Sequence, residues 1–423
     1  MSEAKAEVLE RSKEYWNPDK TQFWQDQGVD LVIDRREGYF LFDMDGKRLI
    51  DVHLNGGTYN LGHRNPELIA VMNAAAQRFD MGNHHFPALA RTALAEALAA
   101  TMPGDLKYTA YGAGGAEAID IAIKTARHAT KKKKIVSIMK AYHGHTGLAV
   151  KTGDARFSKL FLSEDTAGEF VQVPFNDLNA MEDALRKRDV AAVILETIPA
   201  TYGFPMPKEG YLPGVRKLTE RYDALYIADE VQTGFMRTGA MWGVTKYGVV
   251  PDIMVLGKAL TGGLYPISAC VISERHAGWL HEDGFGHIST SGGAEIGCCV
   301  ALKVLEITQR PAVVSMVRYI SDYVRAGLNR IQAQYPDWFV GIRQHGVVMG
   351  LEFNAPEGAK TVMKHLYRNG VWAIFSTLDP RVLQFKPGIL MTQSLSEEML
   401  RRVEIGIGAA RAEAMGAGSR RAS

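Results

Sequence analysis

The most regular pattern in this chain is a series of short apolar runs that alternate with segments of helical periodicity. The alternation extends from about residue 66 to residue 309. Strands that alternate with helices predict a mostly parallel sheet covered on both faces. The predicted strands are Ile135–Met139, Ala192–Leu195, Ala224–Ala228, Ile253–Leu256 and Ile267–Ile272.

The two ends of the chain show a different pattern. The first 62 residues mix polar helix with short alternating segments, and Gly38–Lys47 predicts a hairpin with Asp45-Gly46 as its turn. After Pro311 the pattern predicts a long helix, two strands with a helix between them, and a terminal helix. Those two strands are Gly346–Glu352 and Val382–Lys386.

Together these patterns predict an α/β protein with two domains. A large domain with a mostly parallel central sheet is predicted over residues 63–310. A small α+β domain is predicted from both termini, residues 1–62 and 311–423. We expect a site between the domains, because open α/β sheets build their sites at the carboxyl ends of their strands.

Composition and charge narrow the classes of function. The 423 residues carry a net charge of +2, which gives no reason to expect nucleic acid or an anionic membrane as a partner. No apolar stretch approaches the roughly 20 residues that span a bilayer, and the first residues lack a hydrophobic signal region. Three cysteines cannot form a disulfide framework. We therefore expect a cytoplasmic protein without membrane contact.

Two predicted strands each deliver one charged side chain at their carboxyl end. The run Ala224–Ala228 ends in Asp229-Glu230, and the run Ile253–Leu256 is followed by Gly257 and Lys258. A lysine can form a Schiff base with an aldehyde, and an aspartate can keep a pyridine nitrogen protonated so that the ring accepts electrons. The pair therefore indicates pyridoxal 5′-phosphate (PLP) as the cofactor.

A glycine-rich turn, Tyr111–Glu117, precedes a predicted helix. Small residues let backbone amides approach an anion closely, and the helix dipole adds attraction. The turn matches neither a Walker loop nor the dinucleotide-binding spacing of glycines. Tight packing is the commoner explanation of such a turn, and a phosphate bound mainly by backbone N–H groups is the alternative.

The segments around these charged residues resemble the class III family of PLP-dependent aminotransferases, within the fold-type I superfamily. The most specific segment is Ala228–Gly239, and Pro251–Leu260 follows at the family's spacing. Ala141–Gly144 and Leu61–His63 agree as well, and the resemblance extends from about Gly38 to Leu400. It implies an enzyme that moves an amino group from an amine or amino acid to a keto acid.

The resemblance implies roles for individual residues around the cofactor ring. Lys258 matches the Schiff-base lysine, and Asp229 matches the partner of the pyridinium nitrogen. Tyr142 matches the aromatic residue on one ring face and Val231 the apolar contact on the other. Gln232 matches a donor to the ring hydroxyl. Of these, we expect Lys258, Asp229 and Tyr142 to be catalytic.

The resemblance also implies how the phosphate is bound. Gly114, Gly115 and Ala116 match the phosphate loop, where the family usually has serines, so the phosphate must rely on backbone amides. Thr290 matches a threonine that reaches the phosphate of the neighbouring subunit, which implies a homodimer with shared active sites. We expect no metal, because no histidine pair has ligand spacing with a third acid or cysteine.

Three positions depart from many ω-aminotransferases of the family. His145 stands where these have an arginine, Gln384 replaces the arginine that often binds the carboxylate of the keto acid, and Thr201 replaces its gating glutamate. Losing a fork-shaped cation and its counter-acid is not conservative. We therefore expect a pyruvate-like acceptor. Candidate carboxylate partners are Arg237, Arg381 and Lys386.

Other interpretations stay open on the same scaffold. His145 is tolerated in aminomutase-like relatives, and the altered acceptor positions remove a reason to expect a second substrate, which favours an aminomutase or racemase. Phe385-Lys386-Pro387 resembles some lyases that act on phosphorylated amines. A regulator without catalysis is the last alternative, and the intact Lys258, Asp229 and Gln232 argue against it.

Overall fold

A seven-stranded sheet and two four-stranded sheets organise the protein in a computed structural model that describes residues 1–421. The strands are β1 (Ile33–Glu37), β2 (Phe40–Asp43), β3 (Arg48–Asp51), β4 (Leu106–Gly112), β5 (Lys134–Ile138), β6 (Phe170–Val173), β7 (Val190–Glu196), β8 (Leu225–Asp229), β9 (Ile253–Leu256), β10 (Ser268–Ser273), β11 (Phe339–His345), β12 (Val348–Phe353), β13 (Val371–Trp372), β14 (Ile374–Ser376) and β15 (Asp379–Phe385).

Helices make up most of the remaining regular structure. They are α1 (Glu3–Tyr15), α2 (Pro18–Asp26), α3 (Leu54–Gly57), α4 (Pro66–Ala76), α5 (Leu89–Thr101), α6 (Gly115–Thr130), α7 (Ala149–Thr152), α8 (Arg156–Lys159), α9 (Leu178–Leu185), α10 (Tyr211–Arg221), α11 (Gly278–Glu282), α12 (Glu295–Gln309), α13 (Pro311–Gln334), α14 (Gly358–Arg368) and α15 (Gln393–Arg421). Short 3-10 helices are Gly243–Tyr247, Lys258–Thr261 and Glu274–His276.

The central sheet has the strand order β4-β10-β9-β8-β7-β5-β6. Strands β6, β5, β7, β8 and β9 pair in parallel, whereas β10 runs antiparallel to both of its neighbours. Every residue of β7, β8 and β9 is buried, as expected for a parallel sheet with both faces covered. The mostly parallel sheet and its five predicted strands are confirmed. The apolar pattern alone did not predict β4 and β6.

The two ends of the chain meet in the smaller sheets. Strand β13 pairs in parallel with β3, which joins a late segment to the predicted hairpin of β2 and β3. The other sheet has the order β11-β12-β15-β14. After β15, the backbone N–H of Lys386 donates to the carbonyl of Val52 at 2.6 Å. The division at residues 63 and 310 stays a prediction.

Helix α6 shows how the large sheet is covered. Its apolar face is fully buried against the sheet, and each isoleucine on that face contributes roughly 1.5–3 kcal/mol through burial. Gly114 precedes its first turn as the N-cap. This packing fixes the start of α6 at the carboxyl edge of the central strands. Among residues 1–421, the helices lack any stretch both long and apolar enough to cross a bilayer.

Candidate active site

The carboxyl ends of three parallel strands meet at one edge of the central sheet. Strand β7 ends in Glu196 and β8 in Asp229, and these two residues are paired in register. Lys258 follows β9 after Gly257, with a φ of 44°. This left-handed conformation is uncommon outside glycine and persists only where the surrounding structure fixes it. The fold therefore holds the lysine at a defined place beside the two acids.

A cavity of about 210 Å³ lies at this edge. It is lined by Gly115, Ala116, Tyr142, His143, Gly144, His145, Glu196, Ile198, Asp229, Val231, Gln232, Thr233 and Lys258. The structure thus gathers most of the predicted site residues around one space. Gly114 lies just outside the lining, where its carbonyl accepts from Ser268 Oγ at 2.8 Å. Thr290 is exposed, between α11 and α12, and does not line this cavity.

The Asp229 carboxylate is held by two hydrogen bonds. Its Oδ2 lies 2.8 Å from Nδ1 of the buried His143, and its Oδ1 accepts from the Val231 N–H at 3.1 Å. These contacts fix the direction of the carboxylate, which faces the cavity. The sequence alone assigns no role to His143. Its place in the Ala141–Gly144 motif was the signal for a partner of Asp229.

Glu196 is a second buried acid of the cavity. Its carboxylate accepts from the backbone N–H of Tyr142 and of Ala200, each at 3.1 Å. Burial raises the pKa of Glu196 to about 7, His143 opposes this rise, and Asp229 adds to it. Sequence reasoning missed this residue, although it stands directly after a predicted strand. We call Asp229, His143 and Glu196 the acidic side of the site.

The second residue of the acid pair has a different place. Glu230 accepts from the backbone N–H of Gly243 at 2.7 Å and of Val244 at 2.8 Å, and from Thr197 Oγ1 at 2.5 Å. Successive side chains at a strand end point to opposite faces, so Glu230 turns away from the cavity. It fixes the loop that follows β8 and is not part of the site.

Comparison with known proteins decides the family. The sequence model of the family described as "Aminotransferase class-III" matches residues 23–405. The chain belongs to the class III aminotransferases. Members of this family depend on PLP, so the protein is a PLP-dependent transaminase whose substrates are amino compounds and keto acids.

Relatives along nearly the whole chain agree with this class III assignment. An uncharacterized aminotransferase of Archaeoglobus fulgidus is 44% identical over 387 residues, covering 92% of this chain and 90% of the relative. A putrescine aminotransferase of Pectobacterium atrosepticum is 30% identical over 427 residues, covering 96% and 89%.

Solved structures of transaminases share the fold. A transaminase from a marine Virgibacillus has a TM-score of 0.89 at 24% identity, covering 96% of this chain and 99% of that one. An ornithine aminotransferase of Toxoplasma gondii has a TM-score of 0.85 at 25% identity, covering 95% and 98%. The fold is therefore the fold-type I transaminase fold, as the sequence predicted.

The cavity of this class III aminotransferase fits PLP. A Cβ atom on Gly56 would lie 2.8 Å from Cε of Lys258, so only glycine leaves room for the lysine. The buried Oε1 of Gln232 has no hydrogen-bond partner among residues 1–421. The methyl groups of Val231 border both Gly115 and Gly257. The lysine suits the aldehyde of PLP, and the acid suits its ring nitrogen. The apolar side chain of Val231 suits a face of the ring, and the N-terminus of α6 suits the phosphate.

Two of the three candidate carboxylate partners are buried close to this cavity. Lys386 is 0% exposed, and its Nζ donates to Gln384 Oε1 at 2.5 Å. Arg237 is 1% exposed, and its Nη2 donates to Gly57 O at 3.1 Å and Asn60 Oδ1 at 2.8 Å. Burial lowers the pKa of Lys386 well below its usual range. We call Lys386, Arg237 and Gln384 the cationic side of the site.

The third candidate, Arg381, is engaged elsewhere. It is half exposed and donates to both carboxylate oxygens of Asp379, at 3.0 and 3.1 Å. Its guanidinium also lies 3.3 Å from Glu352. Two acids therefore already compensate this cation, which does not line the cavity.

The departure at His145 creates an aromatic wall. The ring of His145 lies 5.2 Å from that of Tyr142 and 4.8 Å from that of Phe157, and the last two meet edge to face at 5.5 Å. Burial lowers the pKa of His145, which favours a neutral ring. This part of the cavity wall, Tyr142 and His145, is therefore aromatic and without a fixed charge, where an arginine would have made it cationic.

Proposed function

We propose that this transaminase moves the amino group of an apolar amine to a small keto acid of the pyruvate class. Among the described residues, the cavity lining contains no arginine, and this observation carries the proposal. A second carboxylate, as in 2-oxoglutarate, calls for a fork-shaped cation in the lining, whereas the buried Arg237 lies outside it and donates to Gly57 and Asn60. The relative named for putrescine acts on a diamine, which also has no carboxylate.

Lys258 is the proposed acid–base group. PLP, when bound, supplies an aldehyde that takes up the amino group and a ring that withdraws electrons. Lys258 moves the proton at the α-carbon of the substrate, for which its amine must be neutral. Burial lowers the pKa of Lys258, Asp229 and Glu196 act in the opposite direction, and Arg237 adds to the lowering.

The cofactor is assigned to the residues that the cavity gathers. Asp229, directed by His143, is assigned to the ring nitrogen, and Gln232 to the ring hydroxyl. Tyr142 and Val231 are assigned to the two ring faces. The phosphate is assigned to the backbone at the start of α6, where N–H groups and the helix dipole favour an anion. This backbone belongs to Gly114, Gly115 and Ala116.

We also propose a homodimer in which Thr290 reaches the phosphate of the partner subunit. The segment around Thr290 supports this, because large apolar side chains are exposed beside it, namely Phe86, Leu89, Phe285 and Ile288. Contiguous exposed apolar surface is typical of protein interfaces. Arg91 ties this region together by donating to the Gly293 carbonyl at 3.0 Å. The cytoplasm stays the proposed compartment.

A panel of amines and keto acids on the purified protein tests the proposal. We expect apolar amines to convert the absorbance of bound PLP and pyruvate to reverse the conversion more effectively than 2-oxoglutarate. Preference for 2-oxoglutarate would contradict the proposed acceptor. Turnover of an amino acid without any keto acid would indicate an aminomutase or racemase. Phosphate release from a phosphorylated amine would indicate a lyase.

A further inference from the structure

Two buried basic side chains on the cationic side, Lys386 and Arg237, have no acid in contact. Among the described side chains, no carboxylate oxygen lies within 4.0 Å of Lys386 Nζ or of the Arg237 guanidinium, although Asp51 acts on Lys386 from farther away. Arg237 Nη1 is buried without any hydrogen-bond partner in the same residues. Keeping a buried amine charged without a partner costs several kcal/mol, and burial accordingly lowers the pKa of Lys386. An anion that reached Lys386 Nζ would favour its protonated form.

One backbone segment brings both cations to the reactive lysine. The carbonyl of Val52 accepts from the Lys386 N–H at 2.6 Å. Four residues later, Gly56 lies so close to Lys258 that a Cβ there would be 2.8 Å from Cε. The next residue, Gly57, accepts from Arg237. The cationic side therefore borders the end of Lys258, where the substrate reacts.

Gln384 and Lys386 act as one unit on the chain. Gln384 is in β15 and Lys386 directly follows it, two residues later, so their side chains point to the same face. The amide oxygen of Gln384 is the polar partner that Lys386 Nζ has, at 2.5 Å. A carboxylate oxygen is a stronger acceptor for an ammonium group than an amide oxygen. The amide NH₂ group is then available as a second donor.

We propose that Lys386, assisted by Gln384, binds the carboxylate of the keto acid and of the amino acid formed from it. The carboxylate takes the place of the Gln384 amide oxygen on Lys386 Nζ, and the Gln384 NH₂ group donates to it. One ammonium and one amide suit a single carboxylate, which matches a monocarboxylic acceptor. This inference rests on the proposed function. It places the carboxylate-binding cation at Lys386, two residues after Gln384, the position where many family members have an arginine.

The test compares pyruvate with pyruvamide, which lacks the negative charge, on the PLP-loaded enzyme. Wild type should prefer pyruvate in kcat/KM by about 10- to 100-fold, as expected for one charged hydrogen bond. In Lys386→Met this preference should fall to near 1 through a raised KM for pyruvate, and Lys386→Arg should restore part of it. Lys133→Met is the matched control, because the Lys133 side chain is 80% exposed.

Each outcome decides the proposal. A Lys386→Met variant that still prefers pyruvate overturns it. If that variant does not fold, the wild-type ratio decides, because equal use of pyruvate and pyruvamide also overturns it. A phosphorylated amine whose turnover depends on Lys386, with pyruvate use unchanged, reassigns the site to phosphate and overturns the carboxylate. If wild-type PLP absorbance responds to no amine, the proposed function fails instead, and the two failures are thereby distinguished.

Discussion

The acidic side and the cationic side of the site differ in how completely their buried charges are paired. Asp229 and Glu196 each accept two hydrogen bonds from within the chain. Among the described residues, Lys386 Nζ has one partner, an amide oxygen, and Arg237 Nη1 has none. The acidic side is therefore organised before any substrate arrives, whereas we propose that a substrate carboxylate completes the cationic side. In this proposal the acidic side serves the chemistry of the cofactor, and the cationic side recognises the substrate.

Replacing Lys258, which lies between the two sides, should have the largest effect. Lys258→Ala removes the proposed acid–base group, so we expect kcat to fall by at least about 1,000-fold with the best amine. Borohydride treatment of wild type with PLP should place the added mass on Lys258, by peptide mass spectrometry. Lys133→Ala should retain full turnover in parallel. A Lys258→Ala enzyme with wild-type kcat would refute the assignment.

The pairing of the acidic side can be probed through the ionisation of Glu196. Its pKa is raised from an ordinary 4.5 to about 7 in the folded protein, so burial favours the protonated acid. The stabilising contribution is full below pH 4.5 and is lost as the pH rises through about 7. Glu196→Gln cannot ionise. Wild type should therefore lose about 1–3 kcal/mol relative to this variant between pH 4.5 and 7.5.

Denaturant unfolding of the PLP-free proteins across this pH range measures the difference. Any constant offset between the two proteins is ignored, because a glutamine side chain bonds differently to the N–H groups of Tyr142 and Ala200. Only the change with pH tests the raised pKa. If the stability of wild type and of Glu196→Gln changed in parallel with pH, the pKa of Glu196 would not be raised. That result would contradict the burial of Glu196 on the acidic side.

The sequence predicts Asp229 and Lys258 because the signal for both residues is local. Asp229 and Lys258 each follow an apolar run that only a buried parallel strand explains, and the structure confirms both strands. Strands β4 and β6 were missed because their residues alternate in burial or are half exposed, so they lack such a run. The roles of His143 and Glu196 depend on which strands are neighbours, and strand order is not written in any one segment.

The cationic side was harder to predict for a different reason. The sequence singled out Arg237, Arg381 and Lys386 as equal candidates for a carboxylate partner. Only tertiary contacts separate them, since Asp379 and Glu352 compensate Arg381. The pairing of Lys386 with Gln384 follows from their spacing at the end of a strand, but the absence of any acid in contact with Lys386 among residues 1–421 follows only from the packed structure.

An acid placed beside Lys386 should pair this lysine as completely as the residues of the acidic side are paired. Gln384→Glu places a carboxylate next to Lys386 Nζ, where the amide oxygen now lies at 2.5 Å. An adjacent carboxylate favours the protonated form of Lys386 and occupies it. It should therefore compete with pyruvate and raise its KM about 10-fold. Gln384→Leu is the control, because it removes the amide without adding charge. An unchanged KM for pyruvate in Gln384→Glu would contradict the binding of its carboxylate by Lys386.

The smallest expected effect concerns the phosphate and the partner subunit. The proposed phosphate loop has Gly115 and Ala116 in place of hydroxyl residues, so a hydroxyl from Thr290 would be one bond among several. Thr290→Ala should weaken PLP binding about 3- to 10-fold, less than a lone hydrogen bond to an anion contributes, because the backbone donors share the phosphate charge. Mixed dimers of Thr290→Ala and Lys258→Ala subunits show whether Thr290 acts in its own subunit's site or across the interface. If Thr290 acts across the interface, the site with an intact Lys258 receives an intact Thr290 from the other subunit. That site should then bind PLP as tightly as wild type, measured by cofactor loss on dilution. A mixed dimer that loses PLP as fast as Thr290→Ala would place the threonine in its own subunit's site, and a Thr290→Ala variant that holds PLP like wild type would place it outside the site.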